Sequence, residues 1–149
     1  MLRNYRGQRV DTKEWVYGGS IIKFNDDGVI TYYMPSNTER CTADHENETD
    51  NVLSITGKFY LVKNVCEYTG LKDKNGKEIY EGDIVNHFEE SALVIWDGDR
   101  YRLKWLSESC CYREDLLYWA ETKWVKVIGN IIDNRELIDN PELLQEVDR

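Results

Sequence analysis

Along most of the chain, apolar residues fall in short runs or at every second position. In RYRLKWL (100–106), Tyr101, Leu103 and Trp105 alternate with Arg100, Arg102 and Lys104. A period of two predicts a strand with one face buried and a cationic outer face. EWVYGGSIIKF (14–24), VITYYM (29–34), KFYLVKNVCEY (58–68), IVNHF (84–88), ALVIW (92–96) and KVIGNII (126–132) read as further strands. They are rich in β-branched and aromatic residues and bounded by Gly, Asn and Asp. Asn25-Asp26-Asp27-Gly28 and Asp97-Gly98-Asp99 supply turns, and Gly18-Gly19 points to a bulge or a close backbone approach. EDLLYWAETKW (114–124) suits a short helix or a strand. The tail repeats itself, DNRELI (133–138) then DNPELL (139–144), each Asn a plausible N-cap and Pro141 at a first helical position, which predicts a short C-terminal helix.

One stretch breaks the rhythm. PSNTERCTADHENETD (35–50) holds five acids and no aliphatic residue larger than Ala, so it is expected as an exposed loop. The richest stretch follows it, EYTGLKDKNGKEIYEGDIV (67–85). Asn75-Gly76 predicts a type I′ hairpin turn with φ > 0 at both residues, Leu71 and Ile79-Tyr80 lie on its arms, and Gly82 and Asp83 set a turn before the next strand. Tyr68, Gly70, Leu71, Asn75, Gly76, Gly82, Asp83 and, further on, Gly129 are therefore read as scaffold. Tyr68, Leu71, Ile79, Tyr80, Ile84, Val85, Tyr101, Leu103, Trp105, Val127 and Ile128 are the expected core.

These elements predict a mainly β protein. Residues 1–68 form an N-terminal β-meander with the acidic loop 35–50. Residues 69–149 form a small SH3-like β-barrel, spanning about 69–132, plus the C-terminal helix, with the meander packed on the barrel.

A chain of 149 residues with 41% apolar content can bury roughly 68–70% of its unfolded surface, enough for a core without staples. Its net charge of −9 works against general affinity for DNA, RNA or anionic membranes. The four cysteines (41, 66, 110, 111) contain no Cys-x-x-Cys, the N-terminus is polar, and no apolar run approaches a membrane span of ~20 residues. The expectation is a cytoplasmic protein with reduced thiols and no membrane contact.

Candidate chemistry is thin. Cys41-x-x-x-His45 has half the spacing of a zinc site, with Cys66 or His87 as conceivable completions, but no matching second pair exists. His87 reads as a structural imidazole, and Cys110-Cys111 as one buried and one exposed thiol despite nearby Arg113. Glu78, Glu81 and Asp83 are explained by the hairpin and the Gly turn. No catalytic residue, metal or cofactor is expected. A small barrel can bind nucleic acid through cations and stacking aromatics, which makes Arg100, Arg102 and Lys104, near Trp96 and Trp105, an alternative contact face. Five Trp and ten Tyr exceed what a small core readily hides, which favours protein binding.

EYTGLKDKNGKEIYEGDIV followed by WVKVIGNI and NPELL resembles the YopX-like proteins of bacteriophages and prophages, and YRGQRVDTKEWVYG (5–18) resembles the opening of one branch. The resemblance spans about Tyr5 to Leu144. It implies an SH3-type barrel in the C-terminal half and a phage-encoded accessory protein in the bacterial host cytoplasm, and it carries over no catalytic residues. The expected function is non-catalytic: binding a phage or host protein, or self-association as a homo-oligomer.

Overall fold

The computed structural model describes residues 4–35, 42–44, 54–56 and 59–139. The chain divides into two compact units, Met1–Val65 and Cys66–Arg149.

The first unit is built on β1 (Tyr5–Arg9), β2 (Trp15–Gly18), β3 (Ile22–Asp26), β4 (Val29–Pro35) and the start of β7 (Phe59–Lys72). The sheet order is β2-β1-β7-β4-β3. A meander would place consecutive strands side by side. Instead β7 enters between the β1–β2 and β3–β4 hairpins, so β2 and β3 lie at opposite edges. The single strand expected over 14–24 is cut after Gly18, and this break is what lets its two halves part. Asp27 and Gly28 both take left-handed φ (48° and 86°) in the β3–β4 turn. The type I′ geometry expected at Asn75-Gly76 is the one that needs such a pair. Met34 and Val62 form the buried centre of this unit, beside buried Arg6 and Gln8. Arg6 lies over the Trp15 ring, and Gln8 donates to the Lys13 carbonyl and accepts from Asn64. The stretch 35–50 is not loop throughout: β5 (Thr42–Asp44) forms within it and pairs antiparallel with β6 (Ser54–Thr56) beyond it, since main-chain pairing needs no apolar side chains.

The second unit holds the end of β7, then β8 (Glu78–Tyr80), β9 (Asp83–His87), β10 (Glu90–Trp96), β11 (Tyr101–Trp105), α1 (Leu116–Thr122), β12 (Lys126–Asn130) and α2 (Arg135–Asp139). Four strands form an antiparallel sheet, β11-β10-β9-β12. It is open, where a closed SH3-like barrel was expected. Part of the free edge of β11 is occupied instead by the following chain: Leu103 N donates to the Glu114 carbonyl at 2.7 Å. One face of the sheet (Val85, Ala92, Val94, Leu103, Val127) packs with Ile79 and with Leu116 and Trp119 of α1. The other (Ile84, with half-buried Leu93, Leu106 and Ile128) is covered by Leu137 and Ile138 of α2. Of the expected core, Ile79, Tyr80, Ile84, Val85, Leu103 and Val127 are buried. Leu71, Tyr101, Trp105 and Ile128 pack half-buried against these clusters. Tyr68 is half-buried, its ring 5.3 Å from that of Tyr80.

The stretch 114–124 resolves as helix. Asp115 caps it by accepting from Leu117 N, and Leu116, Trp119 and Ala120 share the buried side. Asn134 precedes α2, yet its side chain turns back to accept from Asn130 N rather than capping the helix. Gly129 admits it: a Cβ there would lie 2.5 Å from the Asn134 Oδ1. The second tail copy, DNPELL, lies almost wholly outside the described residues, and so do Cys41 and His45.

In the loop between β7 and β8 only Gly76 is left-handed (φ 80°) and Asn75 is not, the pattern of a three-residue loop rather than a type I′ turn. Asp73 decides this. It is buried, and its carboxylate accepts from Asn75 N, Lys77 N and, across the unit, Val127 N. Gly70, also left-handed, lies where the β7–β8 register shifts between Tyr68 and Lys72. Replacing Gly76 with Val places a β-branched side chain at positive φ and is expected to lower the melting temperature by several degrees. An unchanged melting curve would remove the strain argument.

Candidate functional site

β9 ends at His87, which pairs with Glu90, leaving Phe88 and Glu89 as a two-residue turn. Phe88 has φ 53°, and its side chain is 73% exposed. A left-handed bulky residue costs on the order of 1–2 kcal/mol, and glycine usually fills such a turn position. The fold therefore carries strain to hold an aromatic ring out at a hairpin tip.

Beneath it the rings converge on His87. Phe88, Trp119, Tyr112 and Trp124 have centroids 4.5, 4.8, 5.4 and 6.0 Å from the imidazole, and Trp124 stacks on it. His87 Nδ1 lies 2.8 Å from the Trp124 carbonyl, so Nδ1 carries the proton and the ring is fixed. Trp105 and Trp119 both donate their indole N–H to the Arg113 carbonyl (3.0 and 2.7 Å), tying the 106–115 segment to the sheet and to α1. Trp119 is buried and backs the cluster, while Trp124 and Tyr112 are 53% and 38% exposed. The result is a rigid aromatic surface with few rotamers to freeze, the chemistry of a protein-binding anchor.

Sequence reasoning placed His87 as structural and noted the surplus of aromatics, but it did not single out Phe88, Tyr112, Trp119 or Trp124. Phe88-Glu89 carries no turn signal, and the other three meet His87 only through the fold.

The cations read from the sequence do not stand together. Arg100 lines a cavity with Trp96, Tyr101 and Leu116. Arg102 and Lys104 pair with Ile95 and Leu93 on the opposite face of the sheet. Arg102 is flanked by Asp97 (3.4 Å) and Glu114 (3.6 Å). Backbone N–H groups of Arg100 and Asp99, with Arg102 adding to them, hold the Asp97 carboxyl below its ordinary range. Cys110 is half-buried and Cys111 exposed. Burial pushes the Cys110 thiol pKa up, away from reactivity. Asp83 accepts from Tyr80 N, the local backbone role expected of it. Among the described residues no group of three or more His, Cys, Asp or Glu could hold a metal, and no helix is long and apolar enough to cross a membrane.

No curated protein matches the chain. Among solved structures it is similar to the crystal structure of protein EF1440 from Enterococcus faecalis, with a TM-score of 0.51 and 22% identity over 93% of this chain and 99% of that one. At that identity the likeness speaks to the fold alone. The YopX protein family model matches residues 4–145. The chain therefore belongs to the YopX protein family.

Proposed function

We propose that the protein is a non-catalytic accessory protein, phage-encoded and acting in the host cytoplasm, that works by docking the aromatic surface around His87 onto another protein. The SH3-like comparison remains part of this reading, in the looser sense of a small antiparallel β module presenting aromatics at one end. One observation carries the proposal. Phe88 is both strained and exposed, which a merely structural hairpin would avoid by placing glycine there. Self-association through the same surface is the simplest form of the interaction, since an isologous interface needs only one such patch.

Phe88→Gly separates the two roles of this residue. Relief of strain is expected to raise the melting temperature slightly or leave it unchanged. Loss of the ring is expected to weaken association at least tenfold, read by sedimentation for a homo-oligomer and by pull-down from host lysate for a foreign partner. A variant that melts lower and associates as before would show that Phe88 serves the fold alone.

A further inference from the structure

We propose that a second site, independent of the aromatic surface, runs along α1 and takes a short stretch of single-stranded nucleic acid. Two cavities flank the helix. One, of about 310 Å³, is lined by Lys72, Lys74 and Lys123 with Gly70, Leu71 and Ala120. The other, of about 360 Å³, is lined by Trp96, Arg100 and Tyr101 with Leu71, Leu116 and Leu117. Leu71 lines both, and α1 supplies a wall to each, Leu116 and Leu117 at its start and Ala120 and Glu121 toward its end. The two hollows share Leu71 and lie against the same helix, with different chemistry in each, and in this proposal they are the two ends of one site.

At one end, Trp96 is 49% exposed and its ring centroid lies 4.8 Å from that of Tyr101. Arg100 stands beside this pair, offering a stacking face and a cation together. At the other end Lys72, Lys74 and Lys123 line an opening whose glycines contribute no side-chain bulk: a Cβ at Gly70 or Gly76 would meet nothing within 4 Å. Asp73, Glu121 and Asp115 line the groove as well, three acids against the four cations Lys72, Lys74, Lys123 and Arg100, and the Asp73 carboxylate is buried on backbone N–H groups. This is a local reversal, because residues 66–149 carry 19 acids against 11 bases. A stacking platform joined to a cationic notch is what base and phosphate require in alternation. An acidic peptide would use the lysines and leave Trp96 and Tyr101 idle. Leu116 to Lys123 spans about 10 Å of helix, room for about three nucleotides of a strand that keeps the ~3.4 Å stacked spacing of duplex DNA. A duplex hides its base faces, and the acidic surface around the groove repels its longer charge array.

The test is fluorescence anisotropy of a labelled single-stranded hexathymidylate with the full chain, from 20 to 200 mM salt. Three to four neutralised phosphates predict a log–log salt slope of about −2 to −3. Lys72→Ala/Lys74→Ala is expected to weaken binding at least fivefold and to make the slope shallower by about 1.4, with Lys72→Arg/Lys74→Arg restoring both. Trp96→Ala is expected to weaken binding at least fivefold at an unchanged slope, because it removes stacking and no charge. Circular dichroism melts of each variant show that the exposed substitutions leave the fold intact. Displacement of the hexamer by ATP at higher concentration supports the same base-and-phosphate chemistry at the groove. Absence of binding at 20 mM salt would overturn the proposal. So would tighter binding of the matching duplex or of ATP, or variants that bind as the parent does.

Discussion

Asp73→Ala should lower the stability of the Cys66–Arg149 unit by about 3–5 kcal/mol, a fall in melting temperature on the order of 10–40 °C. The carboxylate accepts three backbone N–H groups at 2.8–2.9 Å. Two of them, from Asn75 and Lys77, sit on exposed residues of the hairpin, where water can replace the lost acceptor. The third, from Val127, is buried, and stranding such a donor costs about 1–3 kcal/mol by itself. Asp73 also ties the β7–β8 hairpin to β12, so its loss loosens two elements that are far apart in sequence. Asp73→Asn keeps the shape but turns an N–H toward either Val127 N–H or the pair from Asn75 and Lys77. It should recover only part of the loss. Four of the five tryptophans (96, 105, 119 and 124) lie in this unit, so urea denaturation followed by tryptophan fluorescence reads it directly. A cost below about 1 kcal/mol for the Ala variant would show that the carboxylate is not the organiser of the hairpin.

Gly7→Ala should cost about 2–3 kcal/mol in the other unit, although it adds a single methyl group to an interior that is already filled. A Cβ at Gly7 would lie 2.8 Å from Met34 Sδ and 3.0 Å from both Cβ and Cγ2 of Val62. The sulfur can swing aside at some cost, but the β-branched Val62 cannot easily yield. Met34→Ala alone should cost about 2–5 kcal/mol through the cavity it leaves. Combined with Gly7→Ala, the two losses should fall short of their sum by about 1 kcal/mol or more, because the new methyl fills part of the vacated space. Hydrogen exchange at the β1, β4 and β7 amides measures both. Strict additivity would sink the close-packing explanation of this glycine.

Much of the strand content was readable because alternation and β-branched runs report burial on one face directly. Tyr101, Leu103 and Trp105 turn to the inner face as the alternation required. ALVIW is strand throughout, whereas IVNHF stops at His87, with Phe88 in the turn, and KVIGNII stops at Asn130. The turn chemistry was readable in kind but not in type. Asn75-Gly76 marked a hairpin correctly, yet a buried carboxylate two residues upstream selected a longer loop. Sheet order was not readable at all. No local signal says that β7 inserts between two hairpins, because that order depends on which apolar faces can be covered together.

The binding surface follows the same division. Sequence alone determined the supply: an excess of tryptophan and tyrosine, a histidine at a strand end, a solitary cationic strand and an acidic balance. Tertiary structure decided the use. It gathered residues 88, 112, 119 and 124 around the His87 imidazole, paired Arg102 with carboxylates, and moved the cationic opportunity to lysines flanking α1. The physical reason is range. Alternation, capping and turn preference act over a few residues and are written in order along the chain. A site assembled from a strand end, a loop and a helix depends on long-range packing, which fixes distances between residues that the sequence holds far apart.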